Sequence, residues 1–465
     1  MIKSNFIQLY KSLTKQEKKV LQKWVYSPMH NQHQLVCKLF DYLSIKTKIT
    51  KTTVDKQRIY KELFPLEPYN DLKLRHIQSY ALNVLENFVG YNHVFLDQLF
   101  LKRKQLETYR LRNLPKLSVK ILRKSEQEIA AKSLKNSNFH LEAYQLEIEK
   151  FKHGSTERRT EANNLPQLFG HLSEFFIIST LKFACTAASH SNVFKSEYDI
   201  PLLEAVLEYA RGNKVSTAIK VYYEAYQSLI DADNENHYKV LRNLFFEHIA
   251  LFDKEEQYEL FQLTINYCIK QINTGNSNYF GEVFQLYKDG LYTKVLLDKN
   301  TLSRFTYKNI VSAGLKLKEF EWVQTFIKEY TLYLPSKFKK TYRVYSTAKL
   351  YYAIGDYTAA LQLLLQVEEY DDLFLTLDAK VLLLKIYYEE ESIDALLALI
   401  ASFNVFLQRK GIMGYHKQVY KNLLRLVNKF LGLPLNDKSI RKALIKEVNL
   451  TQPLVEQQWL LDQLE

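Results

Sequence analysis

The sequence predicts an all-α protein: a basic helical N-terminal region over residues 1–152, then, over 164–465, an irregular right-handed α-α solenoid of helical hairpins closed by terminal capping helices. Three observations carry that expectation. Only 12 Gly and 9 Pro occur among 465 residues, so turns are few and the elements between them long. The 33 Tyr and 27 Phe, an aromatic load that suits strands, fall mostly at helical spacing rather than in alternation. A short polar turn separates paired apolar helical patterns, as Gly355-Asp356-Tyr357 does inside "AKLYYAIGDYTAALQLLLQV", residues 348–367.

Near the N-terminus, Thr14 and Glu17 have the spacing of a capping box, in which a hydroxyl and a carboxylate satisfy amides that the first helical turn leaves unpaired. The helix begun there should run to about Tyr26 and stop at Ser27-Pro28. A second carries Leu35, Val36, Leu39, Phe40 and Leu43 on one face, and a third runs from about Thr53 to Pro65. Asn70 is placed to cap a long helix with Leu74, Ile77, Leu82, Leu85 and Phe88 at core spacing. Two more carry Leu96, Leu99, Leu106 and Leu111, then Leu117, Ile121, Leu122 and Ile129, with Pro115 between them where a first-turn proline is tolerated. The polar stretch "HGSTERRTEANN", 153–164, reads as the domain boundary. Beyond it, turn signals at 189–192, 212–213, 231–233, 275–278, 289–290, 335–336, 355–356 and 371–372 divide the chain into amphipathic helices stacked as hairpins.

The repeat shows when the turns are superposed: Tyr357 matches Phe320 and Ile393, offsets of 37 and 36 positions. Ala348, Tyr351, Gly355, Tyr357 and Ala360 give the middle unit its pattern, and Pro335 closes the unit before it. That pattern resembles the tetratricopeptide repeat, in which small residues let two helices approach and aromatic residues fill the space between hairpins. Departures occur on both sides: Val311 and Val323, then Leu384 and Leu396, stand at the small positions, and Gly314 at the Tyr position. The resemblance therefore implies a degenerate solenoid over 305–409 that extends back to about 164. Separately, "SLTKQEKKVLQKWVYSPMHNQHQLVCKLFDYL" and "EYDIPLLEAVLEY" resemble segments of a bacterial family of long helical proteins with no assigned activity, and that resemblance carries no functional residues across.

Composition narrows the function classes. The start, Met1 to Phe6, has no signal-peptide core, and no uninterrupted apolar run approaches the ~18 residues of a membrane span, so a soluble cytoplasmic protein without membrane contact is expected. Cys37, Cys185 and Cys268 are odd in number and each lies in an apolar helical pattern, which suits reduced, buried thiols. No phosphate loop, His-Glu-x-x-His, Cys-x-x-Cys or Gly-x-Ser-x-Gly occurs, so the reading is non-enzymatic, with no catalytic residue, metal, cofactor or small-molecule substrate implied. His30 and His33 read as ordinary surface residues, the Glu389 to Glu391 run as a solvated turn, and Trp24, Trp322 and Trp459 as core anchors.

Two binding surfaces follow. In the repeat register, Lys349 with Tyr352 and Lys385 with Tyr388 point into the concave groove, with Lys308 nearby in the preceding unit. Ammonium groups and phenols in a ladder suit an extended or acidic peptide of a partner protein. The expected function is thus a protein–protein interaction scaffold. The alternative is a nucleic-acid-associated regulator, because residues 1–160 hold 30 Lys and Arg against 15 Asp and Glu, whereas the rest is close to neutral. Its contacts would be Lys56, Arg58 and Lys61 on the third helix and Lys102, Arg103 and Lys104 in the next basic cluster. The linker from Ser44 to Thr52 is longer than a helix-turn-helix normally has and lacks Gly.

Overall fold

A computed structural model describes residues 1–154, 163–194, 196–212, 214–366, 372–409, 414–433 and 437–464. The protein is all-α: among these residues twenty-three helices are joined by short turns, and the β-structure is one two-residue hairpin, Leu297–Asp298 against Thr301–Leu302. Contacts divide the chain into two units, Met1–Thr180 and Leu181–Glu465. The stretch 153–164 that sequence marks as the boundary lies mostly outside the described residues; the division by contacts falls within the helix Leu165–Phe194.

In the first unit, helices α1 (Asn5–Ser12), α2 (Lys15–Val25), α3 (Gln34–Ser44) and α4 (Lys56–Leu63) all pack on α5 (Asp71–Leu96). The capping box forms as expected: the Thr14 hydroxyl accepts from the Glu17 amide at 3.2 Å, and the Glu17 carboxylate accepts from the Thr14 amide at 2.7 Å. Asn70 caps α5 by accepting from the Lys73 amide. Along α5, Leu74, Ile77, Ala81, Leu85 and Phe88 form one buried stripe against Phe6, Leu21, Leu39, Phe40 and Ile59. Each large apolar side chain so buried contributes about 1.5–3 kcal/mol, which is why α5 serves as the spine. After it come α6 (Gln98–Leu111), α7 (Pro115–Ala130) and α8 (Ser137–Gly154), which contact one another pairwise.

Here the expected core faces are only partly covered. On α6 only Leu106 is buried, while Leu96 and Leu111 are exposed, and α7 turns Ser118 and Ser125 inward with Leu117 outside. Periodicity says which residues share a face; it does not say how much of that face a neighbour covers. The helix Leu165–Phe194, α9, is a second correction, since it continues through the turn expected at 189–192. Its stretch Leu165–Ser191 has a mean hydropathy of 1.3 over its most apolar 18-residue window, long and apolar enough by length and composition to cross a membrane. The criterion of an uninterrupted run missed it because Ser173, Glu174 and Lys182 break the run without making the helix polar.

The second unit continues with α10 (Leu203–Ala210), α11 (Thr217–Ile230), α12 (Glu235–Glu247), α13 (Lys254–Asn273) and α14 (Tyr279–Tyr292). The three turns read from the repeat then separate α15 (Arg304–Lys316) from α16 (Phe320–Tyr330), α17 (Lys339–Ala353) from α18 (Tyr357–Leu365), and α19 (Leu373–Glu389) from α20 (Ile393–Arg409). The chain ends with α21 (Gly414–Leu431), α22 (Lys438–Leu450) and α23 (Gln457–Asp462). From α10 to α21 most helices pack on the next one, and α11 also touches α13, α15 touches α17, and α17 touches α19. First helices of successive hairpins thus lie side by side.

Local chemistry explains these turns. Gly355 adopts φ +86°, a left-handed conformation that costs glycine little, and Asp356 caps α18 by accepting from the Ala359 amide. Ala348 and Ala360 are both fully buried, as the middle unit requires. The preceding repeat reaches the same closeness by exchange: a Cβ at Gly314 would lie 2.5 Å from Val323 Cγ2, so the valine occupies the room that the glycine leaves. Gly290, expected in a turn, instead lies inside α14, where a Cβ would meet Phe261 Cζ at 2.6 Å and Leu296 Cγ at 2.8 Å. It is a packing glycine.

The tyrosines fill volume and satisfy their hydroxyls. Tyr222 donates to Glu256 at 3.1 Å, Tyr307 lies 2.9 Å from the Thr331 hydroxyl, and Tyr342 donates to Asp372 at 2.8 Å. A helix interface can thereby bury a wide aromatic ring without stranding its polar end.

Candidate functional site

The five residues expected to line a groove, Lys308, Lys349, Tyr352, Lys385 and Tyr388, come together on one side of α15, α17 and α19. On α15, Lys308 reaches across to Asp378 of α19, with nitrogen and oxygen 2.5 Å apart. On α17, Lys349 donates to the Ser312 hydroxyl of α15 at 2.7 Å. On α19, Lys385 pairs with Glu456 at 2.8 Å, its ammonium 4.9 Å from the centre of the Tyr352 ring and 5.6 Å from that of Trp459. Helical hairpins stacked at nearly constant offset place equivalent positions of their first helices in a row, which is how residues 36 and 37 positions apart become neighbours.

Sequence reading left out the other half of the site. Glu389, expected in a solvated turn, accepts from Tyr352 Oη at 3.3 Å, from Trp459 Nε1 at 3.0 Å and from Gln463 Nε2 at 3.1 Å. Only its neighbours Glu390 and Glu391 form the turn. Tyr388 packs edge-on against Trp459, with ring centres 5.3 Å apart. Lys308 and Lys385 thus pair with carboxylates, Asp378 and Glu456, Lys349 donates to a hydroxyl, and Glu389 takes the phenol, the indole and the Gln463 amide. The ladder is compensated from within the chain.

Its electrostatics follow from that enclosure. Burial holds the Lys349 ammonium below the ordinary lysine range; Glu456 and Asp378 work against that shift, whereas Lys385 and Lys308 add to it. Burial raises the Tyr352 and Tyr388 hydroxyls, and the Glu389 charge pushes both the same way. Both hydroxyls are protonated near neutral pH, and that of Tyr352 donates to Glu389.

The partners of this ladder lie 70 and 71 positions away, Asp378 from Lys308 and Glu456 from Lys385. No local pattern marks such pairs. Glu456 precedes the helix that carries Trp459 and has φ +57°, so helical periodicity does not place its carboxylate beside the indole either.

No protein-family model, curated protein or solved structure matches this chain. The site therefore rests on its own geometry.

The residues proposed for nucleic acid take different roles. Lys56 pairs with Asp71 at 2.7 Å, Lys102 with Glu128, and Lys104 with Glu107 at 2.8 Å. The Arg103 guanidinium lies over the Phe100 ring at 5.1 Å, and Arg58 and Lys61 are exposed on α4. His33 is exposed and His30 half-buried, and each stacks on an aromatic ring, His30 on Trp24 at 3.5 Å and His33 on Tyr80 at 4.4 Å. Among the described residues no group of three or more His, Cys, Asp or Glu side chains is placed to hold a metal ion.

One other concavity in the second unit, about 380 Å³, lies between α12 and α14. Its charges pair with one another, Glu235 with Lys239 along α12 at 2.7 Å and Glu282 of α14 with Arg242 of α12 at 2.7 Å. Tyr279 and Tyr238 donate to those two carboxylates.

Proposed function

We propose that the protein is a non-enzymatic scaffold that binds another protein on the face formed by α15, α17 and α19, within a degenerate right-handed tetratricopeptide-like array of hairpins. The observation that carries this reading is the row of Lys308, Lys349 and Lys385, interleaved with Tyr352 and Tyr388, contributed by three successive first helices. Lys385, Tyr352 and Tyr388 join a directional donor to flat aromatic area in one strip, now covered by Glu456 and Trp459 of the same chain, and that combination recognises a short segment with carboxylate and aromatic side chains. The adjacency of α15 with α17 and of α17 with α19 supports the array.

The test is site-specific photo-cross-linking in cells, with a benzophenone amino acid at Tyr388 and, as control, at the exposed Leu365 of α18. Heterologous protein adducts are expected at Tyr388 and not at Leu365. Equal yields at both positions, or adducts only to the chain itself, refute the reading.

A further inference from the structure

The face just described already holds a ligand, and that ligand is the chain's own C-terminal segment. Glu456 gives Lys385 its carboxylate, Trp459 stacks edge-on against Tyr388 and donates its indole N–H to Glu389, and Gln463 donates to the same Glu389 carboxylate. Leu460 and Leu464 anchor the segment in the surrounding core, both almost wholly buried. We propose, resting on the scaffold reading above, that the face recognises in a partner protein the pattern displayed here: a carboxylate, then three residues later a Trp followed by Leu, then a second Leu four residues on. In the absence of partner, Glu456 to Leu464 occupies the seat.

Three features separate an exchangeable occupant from a permanent cap. The helix is short, Gln457–Asp462, and its close backbone neighbour is α22, so that it meets α19 chiefly through side chains. Glu456, which carries the ion pair, has φ +57°, a left-handed conformation that strains a non-glycine residue. A partner that presents the same carboxylate from a regular helical turn binds without that strain. Finally, the recognition is specific: a charge pair, an indole hydrogen bond and two leucine sockets, where a cap would need only apolar cover.

The experiment uses the full chain and a fluorescein-labelled peptide with the sequence of residues 452–464, read by anisotropy. In the wild type the tethered segment competes at an effective concentration on the order of millimolar, so the free peptide binds weakly. In the full-chain double variant Leu460→Asp with Leu464→Asp the segment loses both of its buried anchors and leaves the seat, and the peptide is expected to bind at least tenfold more tightly. A peptide with Lys in place of Glu456 is expected to lose binding, and Lys385→Glu introduced into the double variant to regain it for that peptide. Unchanged affinity in a variant with wild-type far-ultraviolet circular dichroism overturns the proposal.

Should the variant not fold, hydrogen exchange on the wild type decides the matter. Amides 458–463 are expected to exchange at least tenfold faster than those of α19, and equal protection overturns the proposal. The two levels separate. A seat that never opens, with heterologous adducts still formed at Tyr388, removes this inference alone; a seat that exchanges peptide with no heterologous adduct removes the scaffold and the partner with it.

Discussion

Gly290→Ala tests the packing of the second unit through a sign rather than a size. A glycine inside a helix and facing solvent is stabilised by Ala, by about 0.5–1 kcal/mol, because the unfolded chain loses freedom and the helix gains a better former. Gly281, exposed in the same helix α14, is that case: a Cβ there meets nothing within 4 Å. At Gly290 a Cβ would stand 2.6 and 2.7 Å from Phe261 Cζ and Cε1 and 2.8 Å from Leu296 Cγ. Phe261 and Leu296 are fully or almost fully buried, and neither a ring nor a branch carbon gives way like the end of a flexible chain. Overpacking of that kind costs about 1–3 kcal/mol. Set against the propensity gain, Gly290→Ala should be destabilising by about 1–2 kcal/mol while Gly281→Ala stabilises. Urea titration of the full chain, followed by far-ultraviolet circular dichroism, compares the midpoints at equal slope. Phe261→Leu removes the two clashing ring atoms and should return part of the loss in the Gly290→Ala background. Stabilisation by Gly290→Ala equal to that of Gly281→Ala would refute the placement of α13 against α14.

Four further outcomes are expected. Lys349 has a lowered folded-state value, so the unfolded chain binds the proton more readily and stability rises with pH toward the ordinary lysine range; Lys349→Met should therefore raise the urea midpoint at pH 7, and the gap to wild type should narrow by pH 9.5. Asp71 is held well below the usual carboxylate range by Lys56, Tyr69 and Arg75, so its contribution is fully present above about pH 4 and declines as acid protonates it; Asp71→Asn should lower the melting temperature at pH 7, and the gap to wild type should narrow steadily as the pH falls below about 4. Burial raises the thiols of Cys185 and Cys268, the latter to about 12, whereas Cys37 is only partly buried; a thiol reagent should label Cys37 first and the other two only on unfolding, and early loss of all three would contradict their placement. Labelled duplex and single-stranded DNA should show no salt-dependent binding at micromolar protein, because Lys56, Lys102 and Lys104 are already paired; a steep salt slope would reinstate the nucleic-acid reading.

What could be read in advance was local. The capping box at Thr14, the cap at Asn70, the stripe along α5 and the hairpin turn at Gly355 each depend on residues within a turn or two of one another, and each stands as read. The adjacency of α17 with α15 and α19 along that face was legible for a different reason, since a repeat converts constant sequence offset into spatial adjacency.

The tertiary structure decided the partners of those groups. Asp-Gly at 289–290 and Ser-His-Ser-Asn at 189–192 are turn-forming only where no neighbour rewards a helix; packing against Phe261 and Leu296 keeps Gly290 helical. Likewise the sequence alone determined that Lys349 and Lys385 share a face, whereas only the fold returned Glu456 and Trp459 across about 70 residues to neutralise and cover it. Helical periodicity is a property of the next few peptide bonds; the pairing of a charge depends on where a distant segment finds its own apolar anchor, here Leu460 and Leu464.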